Sequence, residues 1–232
     1  MSLLELADLS AGYGTFQALF GISLRIEEGQ TFAVIGANGA GKSTLLRAVS
    51  GLITTPEEKV RFEGRPVGGL SAHKRVGLGI SMVPEGRQVF PSLTVHENLL
   101  VGAHAKRPGP WNTDKVYELF PLLARLRDRQ ASGLSGGEQQ AMVIGRGLMA
   151  NPRLLLLDEV SLGLAPIVVQ QLYQAMPAIV ESGITIMLVE QDIGQAVAVA
   201  DHVTCLLEGR VALAGRPADL TREQITVAYF GG

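Results

Sequence analysis

The stretch Thr31-Phe32-Ala33-Val34-Ile35-Gly36-Ala37-Asn38-Gly39-Ala40-Gly41-Lys42-Ser43-Thr44 constrains this chain more than any other feature. An uncharged, β-branched run reads as a buried strand. It passes straight into a loop of the form G-x-x-x-x-G-K-[ST] and then into an apolar-faced helix from about Lys42 to Val49. Glycines in such a loop let backbone N–H groups wrap phosphate oxygens, and the helix N-terminus that follows favours an anion. Lys42 is placed to neutralise the outer phosphates and Ser43 to hold Mg²⁺. A glycine-rich turn between strand and helix is the plainer alternative. The spacing of Lys42 and Ser43 and the strand ahead of them favour phosphate binding, with Gly36, Asn38, Gly39, Ala40, Gly41, Lys42, Ser43 and Thr44 as the candidate nucleotide contacts.

A second buried run, Leu154-Leu155-Leu156-Leu157, delivers Asp158 and Glu159 at its C-terminal end, where open α/β sheets bind ligands. Alone this is a strand with a polar end. Next to a phosphate loop it supplies a carboxylate for Mg²⁺, Asp158, and one to orient and deprotonate a water, Glu159. Leu134-Ser135-Gly136-Gly137-Glu138-Gln139-Gln140 opens a third element, a long helix. Ser135-x-x-Glu138 is a capping box, and the serine hydroxyl with the glycine amides is also an anion site. Two anion sites are redundant in one nucleotide-binding chain unless the second serves another subunit, which points to a dimer.

The 232 residues suffice for one large domain, read here as an α/β fold. Residues 3–9 and 16–26 give an opening β structure, and residues from about Thr94 to Ala150 are helical, broken at Lys106-Arg107-Pro108-Gly109-Pro110 and at Pro121. Strands at 154–158 and 184–189 then alternate with helices at 167–182 and 192–200, the pattern of a parallel sheet covered on both faces. Glu208-Gly209-Arg210 reads as the turn of an antiparallel ending. A formal net charge of −2 offers no basic field for nucleic acid. No apolar run approaches the length of a membrane span, the residues Met1-Ser2-Leu3-Leu4-Glu5 lack the basic region of a signal peptide, and Cys205 is the single cysteine. A mean hydropathy of +0.24 suggests apolar surface kept for partners. His73, His96, His104 and His202 show no metal-ligand spacing, and Arg125-x-Arg127-Asp128-Arg129 reads as a solvated helix face.

With these motifs the sequence resembles the ABC ATPases over nearly its whole length, and among them the smaller ATPase of bacterial branched-chain amino acid importers. Val83-Pro84-Glu85-Gly86-Arg87, Tyr117-Glu118-Leu119-Phe120-Pro121, Ser161-Leu162-Gly163-Leu164-Ala165-Pro166, Leu188-Val189-Glu190-Gln191 and the ending Ala228-Tyr229-Phe230-Gly231-Gly232 carry the narrower likeness. The resemblance implies a P-loop NTPase (RecA-like) core with an N-terminal antiparallel β subdomain and an inserted α-helical subdomain, divided here as 1–85, 86–150 and 151–232. It implies ATP and Mg²⁺ as ligands, Tyr13 stacked on adenine, and Ser135, Gly136, Gly137 and Glu138 closing over the γ-phosphate held by a partner. It also implies two membrane permease subunits, a second ATPase that is a paralogue or a copy of this chain, an extracytoplasmic solute-binding protein acting indirectly, and a peripheral place on the cytoplasmic face of the bacterial inner membrane. The segment Glu85 to Leu99 would receive a short cytoplasmic helix of the permease.

The sequence departs from the general family pattern at four places. Glu85 stands where a glutamine is usual, and a carboxylate there can bind Mg²⁺ or its water. Gln191 stands where a histidine touches the γ-phosphate, so its amide donates without a titrating charge. Val160 replaces a proline after Glu159, and Ala165 replaces an aspartate. Importers of other small solutes such as urea or amides, or a poorly hydrolysing nucleotide-dependent regulator, are the alternative readings.

Overall fold

The computed structural model describes residues 2–231; Met1 and Gly232, at the ends of the terminal stretches read above, lie outside the described residues. The chain opens with a long antiparallel pair, β1 (Ser2–Tyr13) and β2 (Phe16–Glu27). It then enters β3 (Thr31–Ile35) and α1 (Lys42–Ser50), as the opening motif predicts. Two short strands, β4 (Val60–Phe62) and β5 (Arg65–Pro66), return to the first sheet, whose order is β2-β1-β4-β5. After α2 (Ala72–Leu78), β6 (Ile80–Val83) starts the far edge of a second sheet.

Helices follow: α3 (Val95–Gly102), α4 (Thr113–Leu119), α5 (Pro121–Arg125) and the long α6 (Gly136–Leu148). The chain then alternates β7 (Leu154–Asp158), α7 (Pro166–Glu181), β8 (Thr185–Glu190), α8 (Ile193–Val199) and β9 (His202–Leu207). It closes with β10 (Arg210–Gly215) and α9 (Arg222–Phe230). The second sheet runs β10-β9-β3-β8-β7-β6, parallel except for the edge strand β10.

The uninterrupted apolar strands follow from a sheet covered on both faces. In β7, Leu155 and Leu157 enter a core shared with α6 and α7, while Leu154 and Leu156 enter one shared with α1 and the antiparallel sheet. Strand β8 splits the same way, Ile186 and Leu188 against Met187 and Val189. Arg75 of α2 is fully buried and donates to four carbonyls, those of Ala48, Val49, Gly68 and Leu70. It thereby satisfies the C-terminal carbonyls of α1, which have no partners within the helix.

The hairpin joining β9 to β10 ties the two sheets together. Gly209 donates to the Ala40 carbonyl at 3.0 Å and accepts from the Phe20 amide at 2.8 Å.

The structure corrects two sequence expectations. The antiparallel ending is not terminal, because α9 follows it, opened by a capping box between Thr221 and Gln224. The charge run is not a helix face, since α5 stops at Arg125 and the chain turns through Leu126, Arg127 and Asp128. The stretch 57–83 holds β4, β5, α2 and β6, all too short for periodicity to register. Among the described residues, no helix is long and apolar enough to cross a membrane.

Candidate nucleotide-hydrolysis site

Strand register assembles the site. Ile35 of β3 is paired with Glu190 of β8, and Asp158 of β7 with Val189 of β8. The residues just beyond these strand ends, Gly36, Glu159 and Gln191, therefore meet at the C-terminal end of the parallel strands. The Glu159 amide donates to the Val189 carbonyl at 3.0 Å, extending the pairing past the end of β7.

The loop after β3 needs its glycines at two points. A Cβ on Gly36 would lie 2.4 Å from the Leu206 carbonyl oxygen of β9. Gly41 has φ of +100°, and a Cβ there would lie 2.8 Å from a Leu19 methyl. Gly41 is also the N-cap of α1, and no side chain caps that helix, so its leading N–H groups stay available to an anion. Gly36 and Ala40 shape this loop by packing, whereas Asn38, Gly39, Gly41, Lys42, Ser43 and Thr44 line the cleft. Ala40 is buried and is anchored by Gly209.

Lys42 is only 4% exposed. Its Nζ donates to the Gly36 carbonyl at 2.8 Å and the Ala37 carbonyl at 3.2 Å, and lies 3.3 Å from Glu159 Oε1. Gln191 Nε2 donates to the other Glu159 oxygen, Oε2, at 2.5 Å. Glu159 is held from both sides while its own backbone has φ of +47°, a left-handed conformation uncommon for a residue with a side chain. Val160, next in the chain, is buried in the core shared with α6 and α7.

Asp158 is almost wholly buried and accepts from Ser43 Oγ at 3.0 Å. Burial pushes its carboxyl up to about 6; the Ser43 hydrogen bond opposes the rise, and the charges of Glu159 and Glu85 add to it. Hard oxygen donors in a field of surplus negative charge fit Mg²⁺. Among the described residues no cluster of three or more His, Cys, Asp or Glu could hold a metal. A cation here would thus need the Ser43 hydroxyl and oxygens from water or phosphate, the coordination Mg²⁺ prefers.

The cleft has a volume of about 570 Å³. Tyr13, 44% exposed at the end of β1, stands at its mouth with Phe16 and Leu162. Arg47 Nη1 donates to the Tyr13 hydroxyl at 3.0 Å, and Arg47 and Tyr13 also line an adjoining cleft that contains Asp158. Glu85 lines both. Phe16 and Arg47 escaped the sequence reading, and Leu162 entered it only within the stretch Ser161-Leu162-Gly163-Leu164-Ala165-Pro166, with no role in the site. The only signal for Phe16 was an aromatic just past the Gly12-Tyr13-Gly14 turn, and Arg47 carried none.

The structure does not bring Ser135, Gly136, Gly137 or Glu138 to this cleft. Ser135 caps α6: its amide donates to Glu138 Oε2 at 2.6 Å, and the Glu138 amide donates to Ser135 Oγ at 3.4 Å. Ser135, Gly137 and Glu138 line a separate groove with Phe120, Leu122 and Leu172, and a Cβ on Gly136 would lie 3.0 Å from the Arg87 guanidinium.

Residues 19–161 match the ABC transporter family. The chain is 42% identical to the high-affinity branched-chain amino acid transport ATP-binding protein BraG of Pseudomonas aeruginosa, across 99% of this chain and all of that protein. It is 33% identical to the probable branched-chain amino acid transport ATP-binding protein LivF of Archaeoglobus fulgidus, across 96% of this chain and 95% of the relative. A nucleotide-free ATP-binding cassette from an ABC transporter superposes with a TM-score of 0.85 at 27% identity, covering 98% of this chain and 95% of that one. The ADP conformation of MJ1267, another such cassette, gives a TM-score of 0.83 at 28% identity, covering 98% and 94%.

Proposed function

The chain belongs to the ABC transporter family as an ATP-binding, ATP-hydrolysing subunit, and from that premise we propose that it powers an importer of branched-chain amino acids. Similarity along nearly its whole length to BraG and LivF supports the solute class. The hydrolytic reading rests on one arrangement: Glu159 is held between the Lys42 ammonium and the Gln191 amide at the edge of the phosphate-loop cleft.

In this reading Asn38, Gly39, Gly41, Lys42, Ser43 and Thr44 grip the phosphates of ATP, and Tyr13 stacks on adenine with Arg47 fixing its hydroxyl. Gly36 and Ala40 hold the loop in shape. Ser43 and Asp158 hold Mg²⁺, with Glu85 beside them, and the ion neutralises charge on the phosphates. Glu159 orients a water for in-line attack and takes its proton, and Gln191 donates to Glu159 and to phosphate oxygen without titrating. Ser135, Gly136 and Gly137, which do not line their own cleft, cover the ATP of a second ATPase subunit, with Glu138 fixing the cap. The division at 1–85, 86–150 and 151–232 belongs to the same proposal. So does a seat on the cytoplasmic face of the inner membrane against two permease subunits, reached through the segment 85–99. A solute-binding protein acts from the far side.

The test is ATP turnover in lipid vesicles that carry the candidate permease pair and the partner ATPase, with solute-binding protein charged in turn with leucine and with urea. Turnover that rises several-fold with leucine and not with urea is the expected result. A response to urea alone would reassign the solute, and bound ATP without turnover in the full assembly would make the chain a regulator.

Asp158 sets the pH dependence. As pH falls through about 6 it takes up a proton and loses the charge that holds the cation. Turnover is expected to fall toward tenfold per pH unit below that point, with the midpoint moving lower when Mg²⁺ is raised. Its effect on stability runs the other way. Because its folded-state value lies above the ordinary 3.8, the cation-free protein gains stability from Asp158 as pH drops from 7 through 6. Turnover profiles at two Mg²⁺ concentrations, with a melting series lacking Mg²⁺, check both signs.

A further inference from the structure

Glu190 ends β8 and is 2% exposed. Its Oε1 accepts from the Tyr173 hydroxyl at 2.7 Å and from the Ser161 amide at 3.3 Å, and its Oε2 accepts from Ser161 Oγ at 2.9 Å. Burial pushes the carboxyl upward, and hydrogen bonds from the Tyr173 hydroxyl, the Ser161 hydroxyl and amide and the Gln191 amide work against the rise. These partners are two hydroxyls and two backbone amides, none of them a cation. A carboxylate sunk this deep is costly, and packing alone would be served as well by an apolar side chain.

Its position supplies the reason for it. On one side of Glu190 the Val189 carbonyl accepts from the Glu159 amide, and on the other the Gln191 side chain donates to the Glu159 carboxylate. Ser161 lies two residues past Glu159, so Glu190 grips the far end of the turn whose near end its neighbours hold. That turn contains the left-handed Glu159 backbone, a conformation that persists only where the surroundings over-determine it. Val160 brings no ring to stiffen the turn. Tyr173 braces Glu190 from α7, which begins only after this loop at Pro166.

We infer that Glu190 is a positioning residue for hydrolysis: by binding Ser161 it fixes the turn after β7, so that Glu159 and Gln191 keep one geometry through the cycle. This rests on the reading of Glu159 as the group that orients water. A residue acting this way alters kcat and leaves the hold on ATP alone, since neither Glu190 nor Ser161 lines the phosphate-loop cleft.

The experiment is a set of double-mutant cycles on ATP turnover of the assembled transporter, with KM for ATP and melting midpoint measured on each variant. Glu190→Gln is expected to lower kcat about tenfold with KM unchanged within about twofold, and Ser161→Ala to lower it about threefold. The pair Ser161→Ala/Glu190→Gln should be no slower than Glu190→Gln alone, and Glu190→Gln should add nothing in a Glu159→Gln background. Multiplying penalties, or a kcat that falls only together with KM and the melting midpoint, would reduce Glu190 to a stabilising residue. Should Glu190→Gln fail to fold, Ser161→Ala still decides, because it removes one half-buried hydroxyl: unchanged kcat overturns the inference. Equal turnover by wild type and Glu159→Gln would instead defeat the underlying reading and this inference with it.

Discussion

Glu159→Gln is expected to lower ATP turnover about a thousandfold, within the range that a positioned general base contributes, while nucleotide affinity stays the same or rises. The substitution keeps the volume of a side chain that is nearly buried and leaves an amide oxygen facing Lys42. It removes the charge that competes with phosphate for the Lys42 ammonium, so ATP meets a lysine less committed to its own protein. Equilibrium binding of ATP beside single-turnover hydrolysis separates the two effects. Residual turnover above about a tenth of wild type would show that the water is activated elsewhere.

Lys42→Met acts on both the ligand and the fold. Three acceptors converge on Nζ, the Gly36 and Ala37 carbonyls and Glu159 Oε1. Loss of that ammonium takes away the positive charge at the centre of the phosphate loop, and nucleotide affinity is expected to drop about a hundredfold, an amount consistent with losing strong charge-assisted contacts. The same change leaves the Glu159 carboxylate buried with the neutral Gln191 amide alone beside it. Removing one member of a buried pair costs about 3 kcal/mol or more, which a urea titration resolves. Lys42→Met/Glu159→Gln should then regain most of the lost stability and none of the turnover. Equal stability of the single and double variants would mean that the Lys42 and Glu159 charges are already screened in the free protein.

What sequence alone reveals here depends on distance along the chain. The phosphate loop was legible because strand, turn and helix are consecutive from Thr31 to Ser50, each setting the next. Asp158 and Glu159 were legible as the polar end of an apolar run, and the capping box at Ser135 as a local pattern. The meeting of Ser43 with Asp158 spans 115 residues and that of Gln191 with Glu159 spans 32. Both were reached only through motif pairing and family resemblance. The Glu190 contacts with Tyr173 and Ser161 were invisible, because a tyrosine, a serine and a glutamate 17 to 29 residues apart form no pattern until β8 and α7 are packed. Helix α9 was missed for a different reason. Its Thr221-x-x-Gln224 box was readable, but residues 222–230 bury only Ile225, too little to mark an apolar face.

The strap at Gly209 carries a consequence for how the molecule comes into being. The phosphate-loop motif is complete in the chain by Thr44, yet the loop's shape depends on Gly209 holding the Ala40 carbonyl and on Leu206 backing Gly36. Its two flanking neighbours in the sheet, β8 and β9, also come from the last third of the chain. During synthesis the loop leaves the ribosome early and waits for more than 160 further residues before its walls exist. A nascent chain halted ahead of β9 would carry every letter of the motif without the strands that back the loop, and is expected to bind ATP far more weakly than one extended past Gly209.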